Sequence, residues 1–269
     1  MTALTTHLGF EFKTGLRSPS ALMLNYLFPL AFYGLMGMVM TKIYPGFTQT
    51  LIPSMIIFAA MASGVLGLPS PQVELREAGV FRSYKINGVP ASAILGLPTL
   101  TSALHILIVS IIITLTAPAL FGASVPTNWG AFLLVTLVTV YTLCAFGALI
   151  GVVSPNARST VLWSQLIFLP SMLLGGLMMP LAALPDSIRP VSKLLPTAYA
   201  AQAYQGLAFG QPTVINATAS LVLLLASGIL AFGLAAYLFN WDNRNSTRRG
   251  HPLMGLLVLL PYVLGIFLG

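Results

Sequence analysis

The chain has 269 residues, of which 57% are apolar and only 6% charged, against about 25% charged in a soluble globular domain. That excludes an ordinary globular fold and points to an all-α membrane protein, because the apolar runs are continuous and about 20 residues long rather than short and alternating. The net charge of +7 does not indicate nucleic acid, since the basic residues are scattered between apolar runs instead of gathered on one face.

The first expected element is an amphipathic helix over residues 4–17. Leu4, Leu8, Phe12 and Leu16 recur every four residues, while His7, Glu11, Lys13 and Arg17 supply polar positions. It rests on the inner leaflet, or it contacts a partner; the pattern allows both. No apolar core of a cleavable signal peptide is apparent there. Six segments long enough to span follow, at about 21–41, 51–68, 91–118, 131–153, 160–179 and 218–239. A further segment, PLMGLLVLLPYVLGIFLG at 252–269, is borderline: an α-helix of that length reaches about 27 Å, against a hydrocarbon core of about 30 Å. The pairs SGVLG at 63–67 and GALIG at 147–151 predict close helix packing. A single cysteine, Cys144, excludes an intramolecular disulfide and a Cys-based zinc site, and three dispersed histidines make no metal site.

Lys and Arg set the orientation. With the N-terminus inside, nine lie on the cytoplasmic side: Lys13, Arg17, Arg76, Arg82, Lys85, Arg158, Arg244, Arg248 and Arg249. Lys42, Arg189 and Lys193 fall outside, so the positive-inside rule favours a cytoplasmic N-terminus.

The stretch PSPQVELREAGVFRSYKINGVP at 69–90 places five charges between two apolar spans. Ser70-Pro71 predicts a helix start, with Ser as N-cap and Pro at the first position. Asn87-Gly88 before Pro90 predicts its end, giving a cytoplasmic helix over about 71–86. Five buried charges at about 2.5–3.5 kcal/mol each keep it out of the hydrocarbon. On one continuous helix Glu74, Glu77, Phe81, Tyr84 and Lys85 would share a face. That face is a protein-docking surface, or its acids merely complement the helix dipole.

ELREAGVFRSYKINGVP resembles the E-R-E-x-G…P segment of ABC-2 type permeases of ABC transporters. LLGGLMMPLAALPDSIRPVSKLLPTAYAAQAYQGL at 173–207 resembles the signature that follows the fifth span in that family. Val80-Phe81 departs from the Thr-Leu common there, and 252–269 is extra. The resemblance covers residues 1–250 as a transmembrane domain, with 251–269 an added hydrophobic segment. It implies a prokaryotic plasma-membrane exporter subunit whose 71–86 helix couples to a nucleotide-binding ATPase subunit. The coupling residues would be Glu74, Arg76, Glu77, Gly79, Phe81, Arg82 and Tyr84. It implies a second permease subunit, identical or paralogous, with spans one, two and five lining the route. Asn25, Phe32, Met36, Met55, Phe58, Trp163, Gln165 and Phe168 would line that route, or fill contacts between helices. Pro180, Pro185, Pro196 and Tyr199 belong to a proline-broken external segment whose short helices, at about 185–195 and 197–208, re-enter from outside or lie across the exit, acting as an exit gate or a passive cap.

Hydrolysis needs a P-loop, and the chain contains no Gly-Lys dipeptide. No cofactor is therefore expected on this chain; ATP and Mg²⁺ belong to the partner. The expected cargo is a hydrophobic or amphiphilic compound, because Met and aromatic side chains adapt to such shapes. Export of a polysaccharide or glycolipid is the alternative. A stand-alone proton-coupled transporter is disfavoured, since all five carboxylates sit at or beyond span ends and only His105 lies within a span.

Overall fold

The computed structural model describes residues 3–185, 187–242 and 250–268. Arg244, Arg248 and Arg249, which entered the expectation on orientation, lie outside the described residues. The described residues form helices and no strands. Helix α1 is Ala3–Arg17, α2 Pro19–Ile43, α3 Leu51–Glu77, α4 Val80–Ile86, α5 Ala91–Phe121 and α6 Trp129–Val153. Then come α7 Ala157–Leu174, α8 Arg189–Ser192, α9 Pro196–Ala203, α10 Ala217–Leu238 and α11 Leu260–Leu268.

Five of these, α2, α3, α5, α6 and α10, are long and apolar enough to cross a membrane. The expected fifth span is α7, whose 18 residues reach about 27 Å. It stops at Leu174 rather than 179, because the backbone turns away at Gly175-Gly176, where Gly176 has a φ of +85°.

Helices α3 and α6 are the axis of the bundle. Their hydrophobic windows are 89% and 78% buried, against 28–33% for α2, α5 and α10. They meet backbone to backbone: a Cβ added to Gly147 would land on the Gly64 carbonyl oxygen. The two small-residue pairs read from the sequence thus provide the approach between the central helices. Hydroxyls inside the spans return to carbonyls one turn back, as with Thr99 to Leu95, Ser110 to Ile106 and Thr136 to Phe132, so they bring few unmet polar atoms into the apolar interior.

The C-terminal segment runs along α10. It starts as a 3₁₀ helix, Pro252–Leu259, before α11. At about 2.0 Å per residue the 3₁₀ part stretches the whole to about 30 Å, which makes up the length that an α-helix would lack. Tyr262 anchors it: the side chain is fully buried, hydrogen-bonds the Ser227 hydroxyl, and stacks on Tyr199 at 5.0 Å.

Candidate functional site

The charged stretch is not one capped helix over 71–86. An α-helical stretch does start beside Ser70-Pro71, at Pro69, but it is no free helix start, because the helical backbone of α3 continues through Leu68 from Leu51 to Glu77. Two features carry the helix past its prolines. A π-helical segment, Met61–Gly67, precedes them. Pro69, lacking an N–H, cannot bond the carbonyl four residues back at Val65, and Ser164 of α7 donates to that oxygen instead at 2.7 Å. Ser70 is no cap either; its hydroxyl pairs with Thr160 at 3.0 Å. The helix is therefore 27 residues long, about 40 Å, and its last turns project beyond a 30 Å hydrocarbon layer.

The break comes at Gly79, whose φ of +76° suits a residue without Cβ. Chain direction changes there, so the expected common face of Glu74 to Lys85 does not form. Glu74 and Glu77 are exposed on the end of α3, while Phe81 on α4 is 4% exposed and packs on Phe239 at 5.8 Å. Tyr84 is half-buried. The expected end at Asn87-Gly88 is where α4 stops, with Gly88 at a φ of +74°.

Arg76 is turned inward, 5% exposed. Its guanidinium donates to the carbonyls of Gly151 and Val152, both at 3.2 Å, and to that of Ser154. These oxygens lie at the C-terminus of α6, where the final carbonyls have no intrahelical donor and the dipole favours a cation. Arg76 thus ties the projecting end of α3 to the C-terminal end of α6. Helix α4 is tied in turn to the residues after α10: Arg82 pairs with Asp242 at 2.6 Å, and the Lys85 ammonium lies 6.0 Å from the Trp241 ring. The hydrogen bond and charge of Asp242 hold the Arg82 guanidinium above even its usual range. Sequence reading missed Phe239, Trp241 and Asp242. Their signal was a Trp-Asp pair directly after the last span, too short a pattern to name a partner.

The residues expected along a route divide in two. Phe58 of α3, fully buried, stacks on Phe32 of α2 at 3.9 Å and meets Phe168 of α7 at 5.8 Å. Met36 and Met55 are buried beside them. Spans one, two and five therefore converge on an aromatic cluster inside one subunit. Asn25 faces a partner helix, accepting from the Ser63 hydroxyl at 2.6 Å. Trp163 turns away from the cluster to line an apolar cavity of about 320 Å³ between α6, α7 and the C-terminal segment, and Gln165 is half-exposed.

The expected helix over 185–195 is the single turn α8, preceded by Pro185 and a 3₁₀ turn, Leu181–Ala183, that follows Pro180. Helix α9 begins at Pro196 and is buried along its whole length, with Tyr199 fully enclosed and donating to the Tyr262 carbonyl at 3.4 Å. It contacts α10, α3 and α6, so it sits within the bundle rather than across its mouth.

The ABC-2 type transporter family matches residues 2–209. The chain belongs to this family. It is 24% identical over 239 residues to "Putative transport permease YvfS" of Bacillus subtilis (strain 168), a match covering 85% of this chain and 93% of that relative. No solved structure matches it. As an ABC-2 permease it is a membrane-integral transport subunit of a family that works with an ABC ATPase subunit. Within that family, the projecting end of α3 and the attached α4 occupy the stretch that carried the resemblance.

Proposed function

We propose that this ABC-2 permease is the transmembrane subunit of an exporter moving a hydrophobic or amphiphilic, drug-like or lipid-like compound out of a prokaryotic cell. A separate nucleotide-binding subunit would bind ATP and Mg²⁺ and dock at Glu74, Glu77 and the exposed side of α4. The N-terminus would be cytoplasmic, with residues 1–250 as the transmembrane domain of six spans and 251–269 as an added segment. Two permease subunits would place their α2 and α7 faces along the route, with the α9 region near its outer end.

One observation carries the reading: α3 is a continuous helix from the aromatic cluster at Phe58 to the exposed acids at Glu74 and Glu77. A push on those acids moves a packed rod rather than a loop, and Phe58 in that rod touches both α2 and α7. Arg76 supports the same role by coupling the rod to α6, while Phe81 and Arg82 pass motion of α4 to the end of α10.

The test is co-purification with the ATPase subunit and reconstitution in liposomes. Glu77→Lys, an exposed charge reversal, is expected to leave the permease inserted and folded but to abolish its stimulation of ATP hydrolysis. Full stimulation by that variant would place the docking surface elsewhere.

A further inference from the structure

The apolar cavity at Trp163 lies behind α7, away from the Phe58 cluster. Trp163, Leu166, Ile167 and Pro170 face it, whereas Phe168, which packs on Phe58, does not line it. Residues 146–153 of α6 form a second wall, and the 3₁₀ helix Pro252–Leu259 forms a third. Residues 191–196 complete the lining. They lie beside the C-terminal end of α7, where a Cβ on Gly175 would meet the side chain of Thr197. No lining side chain is charged, and the Trp163 indole is the only one with a hydrogen-bonding group among the described residues. One wall is therefore the C-terminal segment, which lies beyond the family match at residues 2–209.

The cavity is a slot along the helices. Its lining covers about 10 Å of α6 and of α7, and about 14 Å of the 3₁₀ helix. One leaflet is about 15 Å deep, half of a hydrocarbon core of about 30 Å. The slot begins at Val153, the last residue of the α6 span, and so runs from a span end toward the middle of the membrane. Its two ends differ. Val153 and Pro252 are shared with the small polar cavity lined by Arg76, Ser154 and Asn240, whereas residues 191–196 offer only apolar side chains.

We propose that this slot is a lipid site holding one acyl chain of a bilayer phospholipid, with its polar head at the Val153–Pro252 end. An apolar void of about 320 Å³ does not hold ordered water, and left empty it forfeits the contacts of its lining atoms. The surrounding solvent is hydrocarbon chain, and the slot has the length of one leaflet with a polar border at the end where a head must sit. The chain backs α7 on the side opposite Phe58. Gly255 keeps the slot open: an added Cβ there would stand 3.3 Å from a Val153 methyl and 4.0 Å from Leu149, both lining residues. The site needs neither ATP nor cargo, so it stands or falls separately from the export reading.

The test uses the full chain with Trp129→Phe and Trp241→Phe, which leaves Trp163 as the single tryptophan of the three in the sequence. It is reconstituted in nanodiscs of phosphatidylcholine, with a growing fraction of the same lipid brominated at mid-chain, and Trp163 fluorescence is followed. Fluorescence is expected to fall in direct proportion to the brominated fraction, as for contact with a single chain. Gly255→Leu fills the slot and should reduce the quenching by about twofold or more. Gly233→Leu adds the same bulk on α10 in open space, away from the slot, and should leave quenching unchanged. Three results would overturn the proposal. An early steep fall would mean that several bulk lipids reach Trp163. Absent quenching at full bromination would mean that protein, such as a second permease copy, fills the slot. A folded Gly255→Leu variant quenched like the parent would put the chain elsewhere; the shape of the parent curve decides the matter even if that variant does not fold.

Discussion

Arg76 separates structural support from docking in the charged segment, and Arg76→Met tests that separation. The substitution keeps most of the side-chain bulk and removes the donors to Gly151, Val152 and Ser154. A hydrogen bond to a charged group contributes about 1.5–3 kcal/mol, and a cation at a partly buried helix C-terminus up to about 2 kcal/mol. These terms overlap and do not add. A small cavity beside the guanidinium, lined by Val152, Ser154, Asn240 and Gly250, has room for one water of about 30 Å³ that replaces part of the lost bonding. The net cost is then about 1.5–3 kcal/mol. Arg76→Lys, which keeps the charge without the planar fork, is expected to recover roughly half. Thermal and denaturant unfolding of the purified permease in detergent measures this, with Glu77→Lys as the exposed control, expected within about 0.5 kcal/mol of the parent. The capping account fails if Arg76→Met unfolds as the parent does yet loses ATPase stimulation, since Arg76 would then act by contact with the partner.

Gly147→Ala drives a methyl group onto the Gly64 backbone, which has no side chain to yield, and should destabilise by at least about 2 kcal/mol. Gly96→Ala, with open space around it, should be neutral or gain up to about 1 kcal/mol in the same unfolding assay. Ser164→Ala removes the donor to the Val65 carbonyl and is expected to cost about 1 kcal/mol; unchanged stability would mean that another group satisfies that oxygen. A double-mutant cycle on Arg82 and Asp242 should show a favourable coupling that fades between low salt and 1 M salt, because the pair is solvent-accessible and the Debye length falls from about 30 Å to about 3 Å.

Hydropathy alone located the five long apolar helices and the amphipathic α1, because burying backbone in lipid demands helices of a set minimum length whatever they pack against. The local signal at Asn87-Gly88 was reliable, since the helix ends there as expected, whereas Gly79, expected inside one continuous helix, breaks it. The family resemblance rested on two such stretches, one at each end of the bundle. Ser70-Pro71 misled because its competitor was not local. A helix start is the default for that dipeptide, but Ser164, 99 positions from Val65 in the chain, satisfies the Val65 carbonyl that Pro69 leaves open, and so α3 continues. Arg76 was read as surface for the same reason: a charge amid charges looks solvated until the carbonyl end of α6 arrives beside it. Tyr262 and the 3₁₀ stretch likewise depended on Ser227, Tyr199 and α10. Composition and spacing determined what must be helical and what must stay out of lipid. Which charges face water, and which prolines end a helix, was decided only when distant segments supplied the missing hydrogen bonds.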